Sequence, residues 1–182
     1  MRTPAVKGRL KLAVCLVAGR TVYPEGEIEA RRRHLERFAS AGTRIEVVFP
    51  EKGSYWVDKP TEFDFIHVLP YIVKRIVQAE KEGFDAALVN CIIDPGVEAA
   101  RCVTNIPVLG PGRTAMHLAG LLGDKVGFYC PAALVPHLHR LAKSYGLEQV
   151  VHYVEPVDLG PTEFLDRRQA IRDSLRWKFW TT

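Results

Sequence analysis

The sequence predicts an α/β protein with mainly parallel sheet. Three observations lead there. Short apolar runs of strand length alternate with longer segments whose apolar residues recur at helical spacing. Glycines close several of those longer segments, at Gly42, Gly83, Gly123 and Gly146. Strands that alternate in this way with helices make βαβ units, whose strands lie parallel.

In chain order, residues 10–17 read as a strand, 27–41 as a polar helix and 44–49 as a second strand. A loop over 50–60 carries Gly53-Ser54-Tyr55-Trp56. The helix at 65–82 shows Ile66, Leu69, Ile72, Val73, Ile76 and Val77 at helical spacing. Then come a strand at 86–90, a short helix at 96–102, a strand at 106–109 and a helix at 114–122. A strand at 125–130, a helix at 134–145, a strand at 149–154 and a helix at 163–175 complete the pattern. The division falls near residues 110–123, giving a first lobe over 1–111 and a second over 112–182. The second lobe has two strands where the first has four, and a two-stranded unit is poorly covered by itself.

Composition narrows the class. Of 182 residues, 47% are hydrophobic and 25% charged, which suits a globular protein and argues against disorder. A net charge of +4 does not by itself point to nucleic acid. The densest basic run, Arg31-Arg32-Arg33, lies in the polar helix and reads as a solvated face. The cysteines, Cys15, Cys91, Cys102 and Cys130, form no C-x-x-C pair, so no zinc knuckle or thioredoxin-type motif is present. Their apolar settings fit a reducing cytoplasm. The run 10–19 reads as a buried first strand rather than a signal peptide, and no apolar run is long enough to span a membrane.

Chemistry gathers at Asn90-Cys91-Ile92-Ile93-Asp94-Pro95-Gly96, where the apolar run Ala86-Ala87-Leu88-Val89 gives way to a turn. Ligands of open α/β sheets bind at this end of the strands. Cys91 reads either as a thiolate base, stabilised by the helix that starts near Gly96, or as a buried structural cysteine. After the strand at 106–109, Gly110-Pro111-Gly112-Arg113-Thr114-Ala115 has the form G-x-G-x-x-A. Its free N–H groups could hold a carboxylate or phosphate, or it is a glycine turn without ligand. As a dinucleotide fingerprint it is weak, because it sits mid-chain rather than on the first strand and no acidic residue closes the next one. Thr21 and Ser54 lie in loops that open at the same sheet edge, where their hydroxyls could bind a polar substrate or only form turns. Cys130 ends a strand and reads either as facing Cys91 across a cleft or, the favoured reading, as buried; Cys15 and Cys102 read as core. His117 reads as a helix-packing residue, and the other histidines show no metal spacing.

Together these residues resemble the aspartate/glutamate/hydantoin racemase superfamily, above all its hydantoin racemase branch. The resemblance rests on C-x-x-D-P-G at 91–96, followed by Val97-Glu98-Ala99-Ala100-Arg101, and on I-P-V-x-G-x-G-x-x-A-M-H at 106–117. The branch acting on free Asp or Glu has Cys-Asn-Thr where this chain has Cys91-Ile92-Ile93. The resemblance implies two flavodoxin-like lobes and cofactor-independent catalysis by two cysteines facing across a cleft. One removes the α-proton as thiolate and the other returns a proton to the opposite face. It makes Cys91 the first of them. Substrate contacts are expected from Thr21, Ser54, Asn90, Ile92, Gly110, Gly112, Arg113 and Thr114, with the N–H groups at Ile92 and Gly112 on substrate carbonyl oxygens.

This chain departs from the family pattern in two places. Val17-Ala18-Gly19-Arg20-Thr21 stands in place of the family's Asn-Pro-Asn, and no Gly-Cys pair occurs for the second cysteine. The chain ends about where the strand leading to that cysteine should begin, so the second lobe is expected to be incomplete. The expected activity is α-proton transfer on a hydantoin or amino-acid-like substrate, without cofactor, metal, nucleic acid or membrane. The rivals are a single-cysteine decarboxylase or cis–trans isomerase, and a non-catalytic protein that binds a small anion at the glycine motif. A bare sheet edge would favour a homo-oligomer.

Overall fold

The computed structural model describes residues 10–53 and 61–157. Its first sheet holds β1 (Lys11–Cys15), β2 (Arg44–Val48), β3 (Ala86–Val89) and β4 (Val108–Leu109), all parallel, in the order β2-β1-β3-β4. A second sheet pairs β5 (Val126–Pro131) with β6 (Val151–Val157), also parallel, with a bulge at Val126/Gly127. The connecting helices are α1 (Glu25–Glu36), α2 (Glu62–Lys81), α3 (Val97–Arg101), α4 (Pro111–Leu122) and α5 (Val135–Ser144). The predicted α/β class with parallel sheets is the observed one. No described helix is long and apolar enough to cross a membrane.

β1 is central, and both of its faces are covered, so it reads as an unbroken apolar run rather than an alternation. Ala13, Cys15 and Val17 face one core, with Phe65, Val68, Ile72 and Ile76 of α2. Val14, Leu16 and Ala18 face the other, with Tyr23 and Ile45. Each such fully buried aliphatic side chain contributes about 1.5–3 kcal/mol. Cys130, Leu138, Ala142, Val151 and Val154 belong to the α2-side core, so the two sheets share one apolar interior.

Several boundaries differ from expectation. The helix expected over 27–41 stops at Glu36, well before Gly42. Its ion pairs, Glu27–Arg31, Glu29 with Arg32 and Arg33, and Arg32–Glu36, end there, and Phe38 beyond them is 75% exposed, so no apolar anchor carries the helix on. α4 begins at Pro111 rather than Thr114. Proline suits the first helical position, where its fixed φ is helical and its missing N–H would have no partner anyway. The helix expected at 163–175 and the residue Ser54 lie outside the described residues.

Candidate active site

The chain moves from β1 outward to β2, then returns to place β3 on the other side of β1. That reversal is the switch point at which open α/β sheets leave a crevice beyond the strand ends. Three backbone bonds shape its rim: Leu16 N–H to Val48 O at 2.9 Å, Gly19 N–H to Gly53 O at 3.1 Å, and Asn90 N–H to Cys15 O at 2.8 Å. Cys91 is the next residue, half-buried, at the crevice.

Cys91 opens a tight turn. The Asp94 N–H donates to the Cys91 carbonyl at 3.0 Å, and Asp94 takes a left-handed backbone with φ of 49°, uncommon for a residue with a side chain. The Asp94 side chain is 6% exposed and accepts three hydrogen bonds: from Gly112 N–H at 2.8 Å, Arg113 N–H at 2.6 Å and the Tyr145 hydroxyl at 2.9 Å. Burial pushes the Asp94 carboxyl above its ordinary range, while these donors and the Arg101 charge oppose the rise. The Tyr145 hydroxyl is raised too, first by burial and then by Asp94.

The glycine motif therefore has a different job from the expected one. It forms the first turn of α4 rather than a free loop, and the N–H groups of Gly112 and Arg113 already hold an internal carboxylate. Close approach explains the glycines. A Cβ on Gly110 would lie 2.5 Å from Asp94 Cγ, and one on Gly112 would run into the Ile92 carbonyl oxygen. Thr114 turns back on its own helix, its hydroxyl donating to Gly110 O at 2.8 Å. Arg113 reaches Glu98 at 3.0 Å and lies over the Tyr145 ring, 5.2 Å from its centroid.

The structure thus brings Cys91, Ile92, Gly110, Gly112 and Arg113 to one turn, with Asn90 beside it. Thr21 sits exposed in a short 3-10 turn after β1. Asn90 Oδ1 accepts from Arg31 Nη1 at 3.1 Å. Arg31 is only 18% exposed and pairs with Glu27 at 2.7 Å, so of the basic run only Arg32 and Arg33 behave as the solvated face that was expected. Asp94, Tyr145 and Arg31 are the residues the sequence reading missed as parts of the site. Asp94 stood inside a quoted motif, and Asp-Pro-Gly was its signal. Tyr145 carried none.

The other cysteines separate clearly. Cys15 is fully buried, its thiol pushed up to about 12 by burial. Cys130 is 3% exposed and pushed up to about 11 by the same cause. Cys102, expected in the core, is exposed at the C-terminal end of α3. α3 spans 5 residues, too few aligned peptides for a strong N-terminal field, so the expected stabilisation of a thiolate from that side is weak. Among the described residues no three metal-binding side chains gather. A shallow hollow of about 180 Å³ lies against the same turn, lined by Ile93, Pro95, Phe65, Glu62 and His137. Burial lowers the His137 pKa, partly offset by Glu62. A larger hollow of about 310 Å³ lies between α5 and β6, and none of these site residues lines it.

Known proteins are similar to this chain in sequence and in fold. The chain is 29% identical over 142 residues to the hydantoin racemase of Pseudomonas sp. (strain NS671), covering 76% of this chain and 55% of that protein. It is 23% identical over 146 residues to the hydantoin racemase of Paenarthrobacter aurescens, covering 78% and 60%. It therefore spans a little over half the length of these relatives. The allantoin racemase from Klebsiella pneumoniae superposes with a TM-score of 0.82 at 20% identity, over 94% of this chain and 68% of that one. Allantoin racemase from Pseudomonas fluorescens gives 0.78 at 22% identity, over 90% and 67%. These likenesses establish the fold. Residues 29–175 match the family described as Asp/Glu/Hydantoin racemase, and the chain belongs to that family.

Proposed function

We propose that this chain carries out α-proton transfer on a cyclic ureide, a hydantoin or its relative allantoin, with Cys91 as the acid/base group and without a cofactor. One observation carries the reading: in a racemase-family chain, Cys91 is a half-buried thiol on a tight turn at the switch point of the first sheet. A proton α to a carbonyl is weakly acidic. Its removal needs a base near its working pKa and donors for the enolate oxygen. The Cys91 thiolate takes the α-proton and becomes the thiol, and the electron pair moves onto the carbonyl oxygen. Return of a proton to the opposite face inverts the centre, and return to the same face gives exchange without inversion.

The substrate class comes from the relatives' names and from the small, partly apolar surroundings of the turn. The cysteines, all free, suit a reducing compartment, so a cytoplasmic location belongs to the same reading. Self-association through bare apolar surface is a further part of it, since Leu118, Leu121 and Leu122 of α4 are exposed, and sedimentation tests that part.

Proton NMR in deuterated water, following each enantiomer of several 5-substituted hydantoins and of allantoin, tests the function. Exchange that vanishes in Cys91→Ala supports it. Full exchange in that variant, or none in the wild type, overturns it. A single-thiol decarboxylase or cis–trans isomerase is the rival, and product analysis on malonates and maleate separates it from a racemase.

A further inference from the structure

We propose that Asp94 and Tyr145 form a positioning pair for Cys91, through which helix α5 of the second sheet sets the geometry of the thiol turn. The proposal deepens the reading of Cys91 as the reacting group and rests on it. The chain of contacts is short. Asp94 N–H closes the turn on the Cys91 carbonyl at 3.0 Å, so the Asp94 backbone cannot move without moving Cys91. The Asp94 carboxylate is fixed from two other elements, by the first turn of α4 through Gly112 and Arg113 and by α5 through the Tyr145 hydroxyl. Tyr145 is the residue on which α5 ends, its own N–H bonded to Leu141 O at 2.9 Å, and α5 is anchored in the shared core by Leu138 and Ala142.

Two features separate this from an ordinary tie. Asp94 holds a left-handed backbone, uncommon for a residue with a side chain though more accessible to Asp than to most, and the three bonds to its carboxylate hold it there. The packing also leaves no slack, because Gly110 and Gly112 lie flush against Asp94 and the Ile92 carbonyl. A displacement of α5 therefore passes through a phenol and a carboxylate to the thiol turn. The charged and titratable groups around the pair are Arg101, whose charge acts on Asp94, Arg113 and Glu98, whose charges act on Tyr145 in opposite directions, and His117 of α4, whose ring centroid lies 6.4 Å from that of Tyr145; Glu98 pairs with both arginines.

The thiol itself reports the test, without turnover. Cys91 is alkylated with iodoacetamide from neutral to alkaline pH and read by peptide mass spectrometry, which separates it from exposed Cys102. Wild type, Tyr145→Phe and Asp94→Asn are compared, with thermal midpoints alongside. Tyr145→Phe strips one donor from the carboxylate and leaves its charge less compensated beside the turn. The expected result is a Cys91 rate about fivefold slower at neutral pH, the scale of one hydrogen bond, with a higher pH midpoint. Asp94→Asn removes the charge and moves the midpoint the other way. Lower thermal midpoints with an unchanged Cys91 rate and pH profile would make the pair a staple only and overturn the proposal. Should Asp94→Asn fail to fold, Tyr145→Phe, which loses a single hydroxyl, carries the test. A shifted alkylation profile in a protein that exchanges no substrate supports the positioning pair while sinking the proposed function.

Discussion

Cys91 and Cys130 both lie near the carboxyl end of a parallel strand, in two different sheets. Cys91 stands two residues beyond β3, in the turn, and Cys130 is the last residue but one of β5. β3 runs between β1 and β4 at a reversal of strand order, so a crevice opens beyond Cys91 and the thiol is half-buried. Among the described residues β5 pairs only with β6, its end is packed into the shared core, and Cys130 is 3% exposed. The strand-end position is common to both. Access differs, and access decides whether a thiol can meet a substrate or is only a small apolar side chain.

The comparison breaks most sharply on activity. Cys91→Ala should lower α-proton exchange by about 10²–10⁴-fold, the usual contribution of a positioned acid/base, while leaving the thermal midpoint nearly unchanged. Cys130→Ala should do the reverse, keeping the exchange rate and lowering the midpoint. Proton NMR exchange and thermal denaturation on both variants check this. Equal losses of exchange would mean that Cys130 reaches the substrate after all.

Two glycines extend the comparison to stability. Gly112 faces the Ile92 carbonyl, a backbone atom with nowhere to go, and Gly127 faces the Tyr153 ring, a side chain that can rotate away. Gly112→Ala should destabilise by about 3 kcal/mol, at the upper end of overpacking costs, and Gly127→Ala by about 1 kcal/mol. Urea denaturation of each variant measures the difference. A Gly112→Ala variant as stable as Gly127→Ala would mean that the turn at Ile92 has room to move away from α4.

The same contrast explains what the sequence revealed. β1 and β3 were legible because a strand buried on both faces must be continuously apolar, a local property. The place of Cys91 just past a strand end was legible because the apolar run stops at Asn90 and Asp-Pro-Gly follows it. The hydrogen bonds of Asp94 were not, since its partners lie 18, 19 and 51 residues away. Glycines at 110 and 112 suggested an open anion loop, but close packing against a neighbouring loop demands the same residue. Cys102 misled in the other direction, because the short α3 exposes its last turn despite the apolar residues nearby.

Alkaline pH should separate the buried thiol from the accessible one. Burial raises Cys130 from an ordinary 9.0 to about 11, so the folded state holds its proton more tightly than the unfolded chain does. The stability this lends is complete below about pH 9 and is lost as pH rises through 11. Relative to Cys130→Ala, the wild type should lose about 3 kcal/mol across that interval, read from urea midpoints at a series of pH values. Parallel curves for the two proteins would mean that water reaches Cys130.

The smallest expected effect concerns two neighbours on α1. Arg31 crosses from the helix to Asn90, next to Cys91, and is 18% exposed. Arg33 pairs with Glu29 and is 71% exposed. Their shared charge hid this difference in the sequence, because the direction of a helical side chain depends on what the helix packs against. Arg31→Met keeps the apolar stem and removes the donor to Asn90, which should lower kcat/KM for exchange by about fivefold, the scale of one hydrogen bond. Arg33→Met should leave exchange unchanged, since an exposed ion pair contributes little. Equal rates in the two variants would place Asn90 outside the reacting geometry and confine the site to the turn from Cys91 to Asp94.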